Sequence, residues 1–97
     1  MRMMLKATIP CENGNAAIKD GSIGRIIGKW SEQYKPEASY FTTDGGDRAA
    51  YFFFDLKDPS DIPSVAEPFF TGLNAKIEVQ PVMNPQDLKA GLDKLKL

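Results

Sequence analysis

The chain has 97 residues, 12 basic and 13 acidic, for a net charge of −1, with a hydrophobic fraction of 42% and a charged fraction of 26%. That length fits one domain over residues 1–97, and the composition is globular rather than disordered. There is no histidine and one cysteine, which removes the commonest metal ligand, the usual general base, an intrachain disulfide and a cysteine-based zinc site. No metal and no cofactor are expected, and the near-neutral charge speaks against general nucleic-acid binding.

Met1-Arg2-Met3-Met4-Leu5-Lys6 carries charge inside its apolar stretch and lacks the core of a secretory leader. No run approaches the roughly 20 apolar residues of a membrane span. The expectation is a reduced, soluble, cytoplasmic protein without membrane partners.

Met3, Leu5, Ala7 and Ile9 alternate with Met4, Lys6 and Thr8, the period of a half-buried strand. Pro10 ends it, and Cys11-Glu12-Asn13-Gly14-Asn15 reads as a loop. Asn15 is placed to cap a short turn over residues 16–18, interrupted by Asp20-Gly21-Ser22. Ser22 then caps a longer helix in which Ile23, Ile27, Trp30 and Tyr34 form a stripe, with Ile26 beside it. Lys35-Pro36 ends that helix.

Residues 37–43 and 48–56 are rich in aromatic and β-favouring side chains and flank Asp44-Gly45-Gly46-Asp47, which predicts a β-hairpin. The turn pairs Tyr40 with Tyr51 and puts Ala38, Thr42, Ala49, Phe53 and Asp55 on their face. Ser39, Phe41, Thr43, Arg48, Ala50, Phe52, Phe54 and Leu56 take the other. Asp58-Pro59-Ser60-Asp61 opens a helix striped by Ile62, Val65, Ala66, Phe69 and Phe70, shortened by Pro63 and Pro68 and ended at Gly72. Residues 76–83 alternate again, with Pro81 suited to an edge strand or bulge. Asn84-Pro85-Gln86-Asp87 then starts a last helix with Leu88, Leu92 and Leu95 on one face.

The order is β-α-β-β-α-β with an extra C-terminal helix. That is an α+β chain in the split-βαβ pattern of a ferredoxin-like antiparallel sheet, with helices on one face. Its third strand is unusual, because Ala49, Tyr51 and Phe53 alternate with Ala50, Phe52, Phe54 and Leu56. Neither face reads as wet, yet the two main helices cover only one. A second copy is the simplest cover for the other. The expectation is a sheet-to-sheet homodimer with Tyr40, Tyr51 and Phe53 at the interface.

The element order, the two-faced strand and the runs Lys35-Pro36-Glu37-Ala38, Asp58-Pro59-Ser60-Asp61-Ile62-Pro63, Ala66-Glu67-Pro68, Asn74-Ala75-Lys76 and Pro81-Val82-Met83-Asn84-Pro85 resemble a group of small uncharacterised bacterial proteins. That group is similar to the dimeric α+β barrel superfamily. The resemblance implies a ferredoxin-like protomer whose sheet forms a barrel with that of a partner. It implies little about chemistry, since the superfamily holds cofactor-free monooxygenases, isomerases and haem-degrading enzymes. Their histidine roles have no counterpart here, and Tyr34 or Met83 as haem ligands have nothing further to support them.

Trp30 on the helical stripe, with Phe41, Phe52 and Phe54 on the facing strands, lines either a plain core or a site for a small hydrophobic molecule between helices and sheet. A cofactor-free monooxygenase or isomerase using Trp30, a tyrosine or Asp55 is the alternative, and no catalytic residue is assigned. Gly24-Arg25-Ile26-Ile27-Gly28-Lys29 approaches a KH-type RNA-binding entry, but Gly28-Lys29-Trp30-Ser31 lacks the second glycine. The bland alternative is that Gly24 and Gly28 admit close approach by a neighbour. Asp44-Gly45-Gly46-Asp47 is a turn and not a calcium or phosphate loop. Cys11 has no activating base, and Asp55 and Glu78 read as solvated or ion-paired acids.

Overall fold

Alternation along the first strand is realised side chain by side chain: Met3, Leu5, Ala7 and Ile9 are buried, while Arg2, Met4, Lys6 and Thr8 are half-buried. The computed structural model describes residues 1–96. In chain order they form β1 (Arg2–Ile9), α1 (Cys11–Asp20), α2 (Ser22–Tyr34), β2 (Ala38–Asp44) and β3 (Asp47–Asp55). A 3₁₀ turn (Pro59–Asp61), α3 (Ile62–Leu73), β4 (Lys76–Pro81) and α4 (Pro85–Asp93) follow.

The four strands are ordered β2-β3-β1-β4, and every neighbouring pair is antiparallel. β3 therefore lies between β1 and β2, and β1 between β3 and β4, so each helical crossover steps over one strand. This arrangement is α+β and compatible with a ferredoxin-like fold. Leu5 and Ala7 join Phe52, Phe54, Ala17, Trp30, Val65, Phe69 and Leu73 in one core, so α1, α2 and α3 share a face of the sheet.

The hairpin has the expected register, with Tyr40 opposite Tyr51 and Asp44 opposite Asp47. Gly45 and Gly46 both have positive φ, 59° and 88°, as a type I′ turn requires. Asp58 caps its turn as expected, its carboxylate accepting from the Ser60 amide at 2.9 Å. Pro81 closes an edge strand, where a missing N–H is tolerated.

Five local expectations are corrected. Residues 11–15 are helical, not a loop, and Asn15 lies inside α1 rather than capping it. The cause is tertiary: Asp47 Oδ1 accepts the Cys11 amide at 3.0 Å, and buried Gly14 lets α1 close on the turn end of the hairpin at Arg48. A Cβ at Gly14 would stand 2.7 Å from Arg48 Nη1. Ser22 is the first residue of α2, preceded by left-handed Gly21 (φ 77°), and its amide donates to Asp20 Oδ1 at 2.8 Å.

Gly72 does not end α3; left-handed Asn74 does, with the Asn74 and Ala75 amides donating to the Phe70 and Phe69 carbonyls at 3.0 and 3.1 Å. Gly72 instead admits Ile26, whose Cδ1 would lie 2.7 Å from an added Cβ. Nothing approaches Gly24 or Gly28 within 4 Å of that position. The close approach between helices is at α3, not at the glycine pair of α2.

α4 begins with a reciprocal capping box: the Asp87 amide donates to Asn84 Oδ1 at 2.8 Å and the Asn84 amide to Asp87 Oδ2 at 3.0 Å. It buries none of its residues. The radius of gyration is 15.3 Å and the longest dimension 54 Å, against roughly 13 Å for the radius of a compact chain of this length.

Candidate interaction face and aromatic core

Three of the four aromatic residues expected beneath the helices come together. Trp30 is 2% exposed, and its ring centroid lies 4.7 Å from Phe52, 5.1 Å from Tyr34, 5.3 Å from Phe54 and 5.8 Å from Phe69. Its Nε1 donates to the Val65 carbonyl at 2.9 Å, tying α2 to α3. These rings touch, so a molecule lodged between them would have to displace one. Phe41 stands apart, 61% exposed on the edge strand β2 and edge-on to Phe52 at 5.9 Å. A cleft of about 300 Å³ between α2 and α3 reaches the rim of the indole and is lined by Ile26, Lys29, Trp30, Gln33 and Pro68.

The opposite face of the sheet carries no helix over its centre. Tyr40, Tyr51 and Phe53 lie there together. Tyr40 pairs directly with Tyr51, and its ring sits 6.4 Å from that of Phe53. Met4 and Ala38 flank Phe53 across the ladders, and Thr8 and Thr42 flank Ala49. Tyr40 is 63% exposed, whereas Tyr51 and Phe53 are half-buried by their neighbours. β4 turns Lys76, Glu78 and Gln80 to this side, so the apolar part of the face is confined to Met4, Ala38, Tyr40, Tyr51 and Phe53, bordered by Arg2, Asp55, Lys6, Thr42 and Asp44.

An ion pair borders the apolar part. Lys6 Nζ lies 5.6 Å over the Tyr51 ring and 2.6 Å from Asp44 Oδ2. The bond to Asp44 raises the Lys6 pKa above its ordinary value despite partial desolvation. Sequence alternation places Lys6 on this face, but its choice of Asp44 over the cross-strand Glu78 is visible only in three dimensions.

Two further clefts lie at the end of the sheet where β3 finishes. One, of about 560 Å³, is lined by Tyr34, Lys35, Asp55, Leu56 and Asp61 among others. The Met1 amino group, 2.6 Å from Asp55 Oδ1, and then Lys57 hold the Asp55 carboxyl below the usual carboxylate range. A carboxyl so stabilised in its charged form is a weak proton acceptor. The other, of about 570 Å³, lies at the root of α4 and includes Arg2, Phe54, Pro81, Val82 and Met83. Among the described residues no three histidine, cysteine or acidic side chains converge as a metal site. Among the same residues no helix is long and apolar enough to cross a membrane.

The chain is thus an α+β protein with one covered and one uncovered sheet face. No family model matches this sequence. No curated protein matches it either.

Proposed function

We propose that the chain works as a homodimer in which two ferredoxin-like sheets close face to face, making it a module that acts by assembly and binding. The observation carrying this is the uncovered Tyr40–Tyr51–Phe53 cluster with Met4, on strands whose other side is already packed. An isologous contact buries the same patch twice, which is how two-fold dimers form. Light scattering at micromolar concentration tests it. The expected mass is twice 10.7 kDa, and a mass at the protomer value overturns it.

A small hydrophobic ligand remains the second reading, supported by the cleft at the Trp30 rim. A molecule there would lie between α2 and α3, against Ile26 and Pro68, rather than between Trp30 and Phe52. Titration with small aromatic compounds should then shift Trp30 emission, and an unchanged spectrum removes this reading. A cofactor-free monooxygenase or isomerase built on Asp55 is weaker, because that carboxyl is stabilised as the anion.

A further inference from the structure

Three helix ends in this chain turn into left-handed backbone, at Gly21 (φ 77°), Lys35 (φ 47°) and Asn74 (φ 52°). Glycine takes that conformation without a Cβ penalty, and asparagine tolerates it through its short polar side chain, whereas a lysine is strained there. The bond that closes α2 at this point comes from the backbone, the Lys35 amide donating to the Ser31 carbonyl at 2.9 Å. A glycine would make the same bond. Among the described residues the Lys35 ammonium joins no ion pair and no hydrogen bond. A strained residue whose side chain is idle in the protomer points to a use outside the protomer's own folding.

Lys35 lines the cleft of about 560 Å³ at the end of the sheet together with Asp61. Asp61 is half-buried, and among the described residues its carboxylate also has no partner, Lys35 included. Two opposite charges therefore stand in one cleft without neutralising each other. The other two ionised side chains there, Asp55 and Lys57, already pair at 3.4 Å. Gln33, half-buried Tyr34 and Ser64 complete the polar lining, and none of the three makes a side-chain hydrogen bond among the described residues. Buried Leu56 and the Tyr34 ring, itself packed on Trp30 and Phe54, supply apolar surface. The volume lies within the roughly 300–1,000 Å³ of small-molecule sites.

We propose that this cleft binds a small amino-carboxylic acid as its zwitterion, the carboxylate at Lys35, the ammonium at Asp61 and the carbon skeleton against Leu56 and the Tyr34 ring. Charge complementarity selects that class. A phosphate or a dicarboxylate would bring its second negative charge toward Asp55 and Asp61, and a diamine would meet Lys35 and Lys57. A zwitterion answers both unpaired charges at once. The site shares only Gln33 with the cleft at the Trp30 rim and no residue with the Tyr40–Tyr51–Phe53 cluster, so it does not depend on the dimer.

Amide shifts of the ¹⁵N-labelled full chain test it, with L-leucine, L-phenylalanine and 6-aminohexanoate as zwitterions of short and long charge separation. At least one should saturate with a dissociation constant below about 1 mM, moving the amides of residues 33–35, 56–57 and 61–64 most. Analogues that keep a single charge, 3-phenylpropanoate, 2-phenylethylamine, hexanoate and hexylamine, should bind at least about 10-fold more weakly. Lys35→Gly should relieve the left-handed strain and raise the urea midpoint while weakening the zwitterion at least about 10-fold. Asp61→Asn should weaken it to a similar degree with unchanged circular dichroism. The absence of saturable shifts at these residues with all three zwitterions up to about 10 mM overturns the site. An analogue with one charge that binds as tightly overturns the zwitterion and leaves a plain ion site. A Lys35→Gly variant that binds like the wild type, or whose urea midpoint falls, overturns the role given to Lys35.

Discussion

Phe52 and Phe53 are neighbours on β3 and carry the same side chain, yet one is wholly buried and the other half-buried on the face without helices. The pleat sends them to opposite sides of the sheet, and what covers each side decides what each does. On the covered side, Phe52 meets Trp30 and Phe69 and contributes to folding the protomer. On the uncovered side, Phe53 meets only Tyr40 among the rings. Apolar area left there is available for association. The same hydrophobic chemistry is spent on stability on one face and kept for a partner on the other.

The largest effect should come from breaking the covered side. Trp30→Ala removes an indole packed against four rings and should cost about 3–5 kcal/mol, a large part of a typical total of roughly 5–15 kcal/mol. Trp30→Phe keeps most of the volume but leaves the Val65 carbonyl without the indole donor, and should cost about 1–2 kcal/mol in urea denaturation. Wild-type emission should be blue-shifted and resist acrylamide. Emission like that of free indole would mean that the contrast between the two faces is wrong.

On the uncovered side, Tyr51→Glu and Phe53→Asp should leave the far-ultraviolet circular dichroism intact and abolish self-association, whereas Phe52→Asp should unfold the protomer by burying an unpaired charge. If Phe53→Asp destabilises as much as Phe52→Asp in a monomeric background, the two faces are not functionally distinct.

A smaller effect is expected where α4 is held. Asn84→Ala removes one half of the capping box and should destabilise the helix by about 1 kcal/mol, read as faster amide exchange over residues 85–93 with exchange in β3 unchanged. Uniform acceleration through the sheet would mean that α4 unfolds together with the core and is not peripheral to it.

The smallest effect should be that of pH, because the ion pairs are exposed. Ser60 holds the Asp58 carboxyl below its usual range, the Met1 amino group does so for Asp55, and Ser22 for Asp20. Each folded pKa lies below the unfolded one, so the unfolded chain binds more protons in acid. Their contribution is present above about pH 4 and fades as pH falls through the folded values. For Lys6 the sign reverses: the raised pKa contributes fully below about pH 10.4 and is lost on going higher. The urea midpoint should therefore fall modestly at pH 3 and at pH 11 relative to pH 7, and a midpoint rising at either extreme contradicts these assignments.

Much of the sheet was legible because its pattern is local. Alternation in residues 3–9 and 48–56 and the paired glycines at 45 and 46 determine strand faces and hairpin register without reference to the rest of the chain. The proline-led caps at Asp58 and Asn84 were legible for the same reason, since the partner in each hydrogen bond lies within three residues. The aromatic site was half legible. The helical stripe pointed Trp30 at the sheet, but only the packing reveals that its ring is in contact with Phe52 and Phe54 while Phe41 is left at the rim.

Sequence alone therefore determined the order of the strands with α2, α3 and α4, the register of the hairpin and the excess of apolar side chains on β3, because periods of 2 and 3.6 residues are written in neighbouring positions. Tertiary structure decided what depends on residues far apart in the chain. Asp47 and Arg48 turn residues 11–15 into helix by giving the Cys11 amide an acceptor and Gly14 a close neighbour. Ile26 gives Gly72 its purpose, and Asn74 takes over the helix end. Arg2, reaching Asp87 from the other end of the sequence, ties down the start of a helix whose Leu88 and Leu92 stay exposed. A hydrophobic stripe states that a helix has an apolar side; only the placement of its root states which surface that side can reach.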